Sequence, residues 1–260
     1  MAEASTAPRI LISNDDGIHA PGLQVLERIA AQISDDIWVV APERNNSGAG
    51  HSLTLRRPLR VRRAGERRYA VDGTPTDCVM LALQLIIRDR PVDLVLSGVN
   101  HGGNLGEDVT YSGTIAAAME ATLFKIRAIA MSQVLTAGEP VHWATAERFG
   151  PDIVRQVLTM PWPDDVLINV NFPDCQPDAV RGVQVTAQGR RKLGDDLVER
   201  LDPRGEPYVW IGALREDGSP REGTDIAAVN AGWVSVTPLH MDMTHRASFR
   251  PLHEALGVAP

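Results

Sequence analysis

Short aliphatic runs along the chain alternate with stretches whose apolar residues recur at helical spacing. Ile10-Leu11-Ile12 opens the series as a buried strand, because nothing polar interrupts it before Ser13. Leu23, Leu26, Ala30 and Ile33 then share one face of an amphipathic helix, and residues 37–41 form a second strand. Strand, helix and strand in this order make a βαβ unit with a right-handed crossover. Residues 53–55, 59–62 and 69–71 alternate in short stretches, which predicts antiparallel edge strands or a hairpin with Arg62, Arg63, Arg67 and Arg68 in solvent. Thr74, Pro75 and Asp77 suit the N-cap, first turn and third position of a helix that buries Cys78, Leu81, Ala82 and Leu85. Strands follow at 92–97, 128–132 and 167–171, interleaved with an alanine-rich helix over 115–124 and a longer one over 143–160. The longer helix turns Phe149, Ile153, Val154 and Val157 inward.

The texture changes after residue 180. Residues 183–187 and 208–211 read as short alternating strands, and the polar tract 188–207 between them reads as a long protruding hairpin. A helical turn at 226–231, a final strand at 233–237 and a weakly helical segment at 240–253 complete the chain. The pattern predicts an α/β fold: a mostly parallel sheet with helices on both faces over 1–180, then an arm, a last core strand and a terminal segment over 181–260. An arm with little core of its own needs a partner surface, so oligomerisation through it is expected.

Composition changes this picture only at its edges. The 260 residues are 43% hydrophobic and 23% charged, ordinary for a globular chain. With 26 Lys+Arg against 33 Asp+Glu, the net charge of −7 argues against binding nucleic-acid polymers or an anionic membrane. Small phosphorylated ligands need only a local field and remain open. Cys78 and Cys175 are too few for a disulfide framework, and both read as reduced, buried and inert. The first residues lack a signal-peptide pattern and no apolar run is long enough to span a membrane, which points to a cytoplasmic enzyme or binding protein.

Candidate chemistry gathers at the carboxyl ends of the strands, where ligands bind in open parallel sheets. Asn14-Asp15-Asp16-Gly17 ends the first strand with two adjacent acids, which repel one another unless a cation or proton intervenes. A hard divalent metal and a plain Asp-Gly turn both account for the stretch. Asn46-Ser47-Gly48 leaves the second strand. The third strand leads into Asn100-His101-Gly102-Gly103-Asn104, where Gly98, Gly102, Gly103 and Gly106 permit close backbone approach. Ser112-Gly113-Thr114 opens the alanine-rich helix, and either caps it or presents hydroxyls and free N–H groups to a phosphate. Carboxylates beside an anion nest are what a metal-assisted phosphoester hydrolase needs, and the loops lack the cysteine and paired histidine of a structural zinc site. The Asp-x-Asp spacing of haloacid-dehalogenase-type phosphatases is missing, as is the Gly-x-Gly-x-x-Gly of a dinucleotide-binding strand turn. A module that binds metal and nucleotide without turnover is the rival reading.

The motifs Asn-Asp-Asp-Gly-Ile-His-Ala-Pro-Gly, Ala-Pro-Glu-Arg-Asn-Asn-Ser-Gly, Gly-Thr-Pro-Thr-Asp-Cys-Val, Ser-Gly-Val-Asn and Asn-Leu-Gly-Glu-Asp-Val-Thr-Tyr-Ser-Gly-Thr occur in that order. Together they resemble the SurE family of metal-dependent nucleotidases, and Val-Ser-Val-Thr-Pro-Leu-His from residue 234 resembles its C-terminal segment. The resemblance implies a Rossmann-like core and hydrolysis of nucleoside 5′- and 3′-monophosphates, with short polyphosphate as a further substrate of some members. It implies one magnesium or manganese ion per subunit on Asp15, Asp16, Ser47 and Asn100, the two acids being the catalytic residues. Asn14, Gly48, His51, Asn104, Ser112, Gly113 and Thr114 would then line the phosphate and substrate pocket. It also implies a homodimer or homotetramer with exchanged C-terminal segments. His101-Gly102-Gly103-Asn104 departs from the pattern after Ser-Gly-Val-Asn in many members, which bears on pocket shape.

Overall fold

The computed structural model describes residues 7–191, 197–211 and 220–258. Its centre is a nine-stranded sheet. The strands are β1 (Ile10–Ser13), β2 (Ile37–Pro42), β3 (Val61–Gly65), β4 (Arg68–Val71), β5 (Leu94–His101), β6 (Arg127–Gln133), β7 (Val166–Phe172), β8 (Val183–Val185) and, after the arm, β11 (Val234–His240). They lie in the order β3-β4-β2-β1-β5-β6-β7-β11-β8. From β4 to β7 the neighbours are parallel, while β3 and β11 pair antiparallel with β4 and β7.

Both faces are covered, which is why the inner strands carry aliphatic residues on each side. Ile10, Ile12, Leu94 and Leu96 face α1 (Pro21–Ala31) and α4 (Trp143–Leu158), with Leu23, Leu26, Ile153 and Val154 packed against them. Leu11, Val95, Ala128 and Ala130 face α2 (Pro75–Leu81) and α3 (Gly113–Leu123). The capping box expected at the start of α2 forms, since Thr74 and Asp77 bond reciprocally.

Several expectations need correction. Residues 53–55 form no strand, because their loop is held instead by Thr54 donating to Asp77. β3 starts later than residue 59, and β5 runs past Ser97 to His101 through a shift of register. Leu85 is 48% exposed, because α2 passes into a π-type turn (Ala82–Ile86) that rotates the face and buries Ile87 in its place. Arg68 is half-buried, bonded to Glu27 and the Ile18 carbonyl. Cys175 is only partly buried.

The C-terminal region divides differently from the sequence reading. β8 is no leg of the protruding hairpin, since it pairs in parallel with β11 at the edge of the main sheet. The hairpin is formed by β9 (Leu197–Leu201) and β10 (Pro207–Ile211), and residues 192–196 of the polar tract lie outside the described part. α5 (Asp225–Asn230) leads back to β11, and α6 (Phe249–Leu256) ends the described chain. Among the described residues no helix is long and apolar enough to cross a membrane.

Candidate active site

β1 lies where the strand order reverses, with β2 on one side and β5 on the other, so a crevice opens at its carboxyl end. Asn14 is buried there and braces the turn, donating to the Gly17 carbonyl at 3.0 Å and accepting from the Gly17 N–H at 3.2 Å. Gly17 has φ +105°, and a Cβ on it would lie 3.2 Å from the Arg44 carbonyl carbon, so the second loop packs directly on the acidic turn. Asp15 is 4% exposed and accepts from the Thr114 hydroxyl at 2.5 Å. A Cβ on Gly113 would come within 2.7 Å of the Asp15 Cβ, so only glycine lets the N-terminus of α3 stand this close. Burial pushes the Asp15 carboxyl up to about 6, with the charge of Asp16 adding and the Thr114 hydrogen bond opposing. Asp16 is half-buried and faces the crevice.

The other two loops reach the same turn. The Asn46 N–H donates to the Asp15 carbonyl at 2.7 Å, and the Asn45 amide lies 3.4 Å from an Asp16 oxygen. Asn45 also accepts from both the N–H and the hydroxyl of Ser47, each at 2.7 Å, which seats Ser47 next to Asp16. Gly48 stands in open space beside it with φ +78°. From the β5 side, the His101 N–H donates to Asp16 at 3.1 Å, which places Asn100 at the crevice. The Asn100 amide N–H is held by the Gly102 carbonyl at 2.9 Å, leaving its carbonyl oxygen free of donors among the described residues. Ser112 caps α3 by accepting from the Ile115 N–H at 3.0 Å.

Residues 10–195 match the family model described as Survival protein SurE. This chain belongs to the SurE family. It is 59% identical over 247 residues to the 5′-nucleotidase SurE of Paramagnetospirillum magneticum, covering 95% of each chain. It is 52% identical over 261 residues to the 5′-nucleotidase SurE of Parvibaculum lavamentivorans, covering 99% of this chain and 94% of the relative. The crystal structure of the SurE protein from Aquifex aeolicus superposes with a TM-score of 0.84 at 41% identity, covering 96% of this chain and all of that one (100%).

Around this SurE crevice stand supports that sequence reading missed. His51, expected to line the pocket, bonds Glu120 of α3 at 2.9 Å and so ties the second loop to that helix. Asn104 is clamped by the sheet: its amide donates to Ser132 at 2.8 Å, its N–H to Asn171 at 2.8 Å, and its carbonyl accepts from Asn169 and Asn171. The signal was present, since asparagines alternating within the aliphatic run of β7 must satisfy their amides inside the protein. Asp225, fully buried, accepts from the N–H groups of Gly106 and Gly189 at 2.9 and 2.7 Å, and Arg191 pairs with Asp108. No local pattern announces such distant ties.

The donors suit a hard cation. Two carboxylates crowd one turn, one of them buried and resisting ionisation, and neutral oxygens of Ser47 and Asn100 stand at the same crevice. Among the described residues no cluster of three or more His, Cys, Asp or Glu gathers. A cation here would rest on two acids, neutral oxygens and water, a set suited to a hard divalent ion.

Proposed function

We propose that this SurE-family chain is a divalent-metal-dependent phosphomonoesterase that hydrolyses nucleoside 5′- and 3′-monophosphates to nucleoside and phosphate, with short polyphosphate as a further substrate. The observation that carries the reading is the Asp15–Asp16 pair abutting the N-terminus of α3 through Gly113 and Thr114, carboxylates beside an anion-attracting helix end. The 5′-nucleotidase names of the relatives agree with it. Asp15, Asp16, Ser47 and Asn100 would hold one magnesium or manganese ion per subunit, and such an ion supplies Lewis acidity toward a phosphoryl oxygen and water.

The chain's own groups account for the rest. Gly48 and the first turn of α3, Ser112 to Thr114, receive the phosphate, and Asn104, fixed by its amide network to β6 and β7, holds the loop that leads to them. Asn14 holds the acidic turn in shape, and His51 holds the second loop against α3. Asp15 and Asp16 orient a water in line with the bond to the nucleoside oxygen. The new bond forms from water oxygen to phosphorus, the ester bond breaks, and a proton passes to the departing nucleoside oxygen. The subunits act as a homodimer or homotetramer joined through the arm.

The test is phosphate release from 5′- and 3′-nucleoside monophosphates and from tripolyphosphate with manganese, magnesium or EDTA. Release should require metal and fall to background in a folded Asp16→Asn variant. Nucleotide binding without release under any metal would replace the enzyme with a binding module.

A further inference from the structure

A cavity of about 580 Å³ lies between residues 187–190 and 220–226 and touches neither acid of the pair. A second cleft of about 460 Å³ adjoins the crevice itself. One wall is residues 43–46, the loop that packs on Gly17, and the other is residues 71–74 at the start of α2, with Thr54, Arg57 and Arg62 completing it. Asn45 belongs to both places: it lines the cleft, and its amide reaches Asp16. A substrate whose reacting phosphate sits over Asp16 and Ser47 therefore has this cleft open to whatever the phosphate is attached to.

The lining says what kind of leaving group it suits. It contains no aromatic residue, and Val71 is its single aliphatic one, so it offers no apolar slot for a nucleobase. Charge dominates instead. Arg57 pairs with Asp72 at 3.3 Å and Arg62 with Glu43 at 2.7 Å, which leaves both acids of the lining already matched. Arg44 has no carboxylate partner among the described residues, although its backbone is fixed by the contact with Gly17 and by the bonds of Glu43 to Val71 and Asn46 to Asp15. Arg44 is exposed, and an unmatched guanidinium carried on a fixed backbone at a polar cleft recognises phosphate through paired N–H donors.

We infer that this cleft is a leaving-group subsite in which Arg44 binds a second phosphoryl group of the substrate. The inference rests on the phosphomonoesterase reading and adds selection by the far phosphate. A nucleoside bisphosphate and a linear oligophosphate share this chemistry.

The experiment compares kcat/KM, with manganese, for AMP, adenosine 3′,5′-bisphosphate and tripolyphosphate in the wild type, Arg44→Ala and Arg44→Lys. The ratio of either substrate that carries a further phosphoryl group to AMP should fall about tenfold in Arg44→Ala and recover in part in Arg44→Lys. A fall confined to the bisphosphate identifies the nucleotide as source, and one confined to tripolyphosphate identifies the oligophosphate. An unchanged ratio for both, in a variant with wild-type melting temperature, overturns the subsite while AMP turnover keeps the phosphomonoesterase reading. No wild-type turnover of any of the three overturns both.

Discussion

Asp15 is held in a state that disfavours its own charge, and the metal-free protein should show the consequence. Its carboxyl lies at about 6 in the folded protein against an ordinary value of 3.8. Between those values the folded chain binds more protons than the unfolded one, so stability falls as pH rises through that window. Above it the ionised form costs roughly 3 kcal/mol. Asp15→Asn removes the charge and keeps the shape, so in EDTA it should raise the melting temperature at about pH 7.5 and give no gain near pH 3. Calorimetry at both pH values reads this, and an equal gain at both would show that the buried charge is not the cause. Manganese should then stabilise the wild type and leave Asp15→Asn largely unaffected. The same residue shows how far local reading reaches. Two adjacent acids after an aliphatic strand mark the turn as unusual, but Gly113 and Thr114 touch Asp15 from about a hundred positions away (|i−j| = 99 for Thr114), a contact that no local pattern contains.

Helices and strands were legible wherever periodicity and caps agreed. β1, α1, β2, the start of α2 and α3 follow directly from apolar spacing, the Thr74 box and the Ser112 cap. Periodicity failed at the end of α2, where one bond spanning five residues, from the Ile87 N–H to the Ala82 carbonyl at 2.9 Å, turns the helix face. Ile87, 5% exposed, packs where Leu85 was expected. Ile87→Ala should therefore destabilise the protein by about 2–4 kcal/mol. Leu85→Ala should stay within about 0.5 kcal/mol. Urea unfolding of the two variants measures the difference, and the reverse order would refute the rotated face. β8 was misassigned for a related reason: three residues carry too little alternation to say which sheet they join.

At the scale of the molecule, the arm leaves apolar surface that the subunit does not use. Trp210 and Ile211 of β10 are 65% and 75% exposed, Leu197 of β9 pairs with Ile211, and Leu201 is exposed at the other end of the same small hairpin. Two strands alone bury too little to be stable, so a second subunit is the expected cover. Light scattering coupled to size exclusion should report a dimer or tetramer, and the double variant Trp210→Glu/Ile211→Glu should shift it toward monomer with the core fold intact by circular dichroism. A wild type that is monomeric at micromolar concentration would refute the role given to the arm.

Aliphatic periodicity and capping chemistry act over a few residues, so the parallel α/β sheet, its order of elements and the polar loops at one edge are written in the chain. The adjacent acids Asp15 and Asp16 are unusual at a strand end and mark a site, whereas Ser47, Asn100 and Ser112 sit in ordinary loop and cap positions and stand out through the family resemblance. That Asn104 is anchored by Ser132, Asn169 and Asn171, that His51 reaches Glu120 and that Asp225 braces the long β5–α3 loop is settled by folding alone. Those contacts depend on the sheet order, which brings distant strands together. A buried polar group takes whichever partner the fold puts within reach, and the chain records that it needs a partner without recording which one.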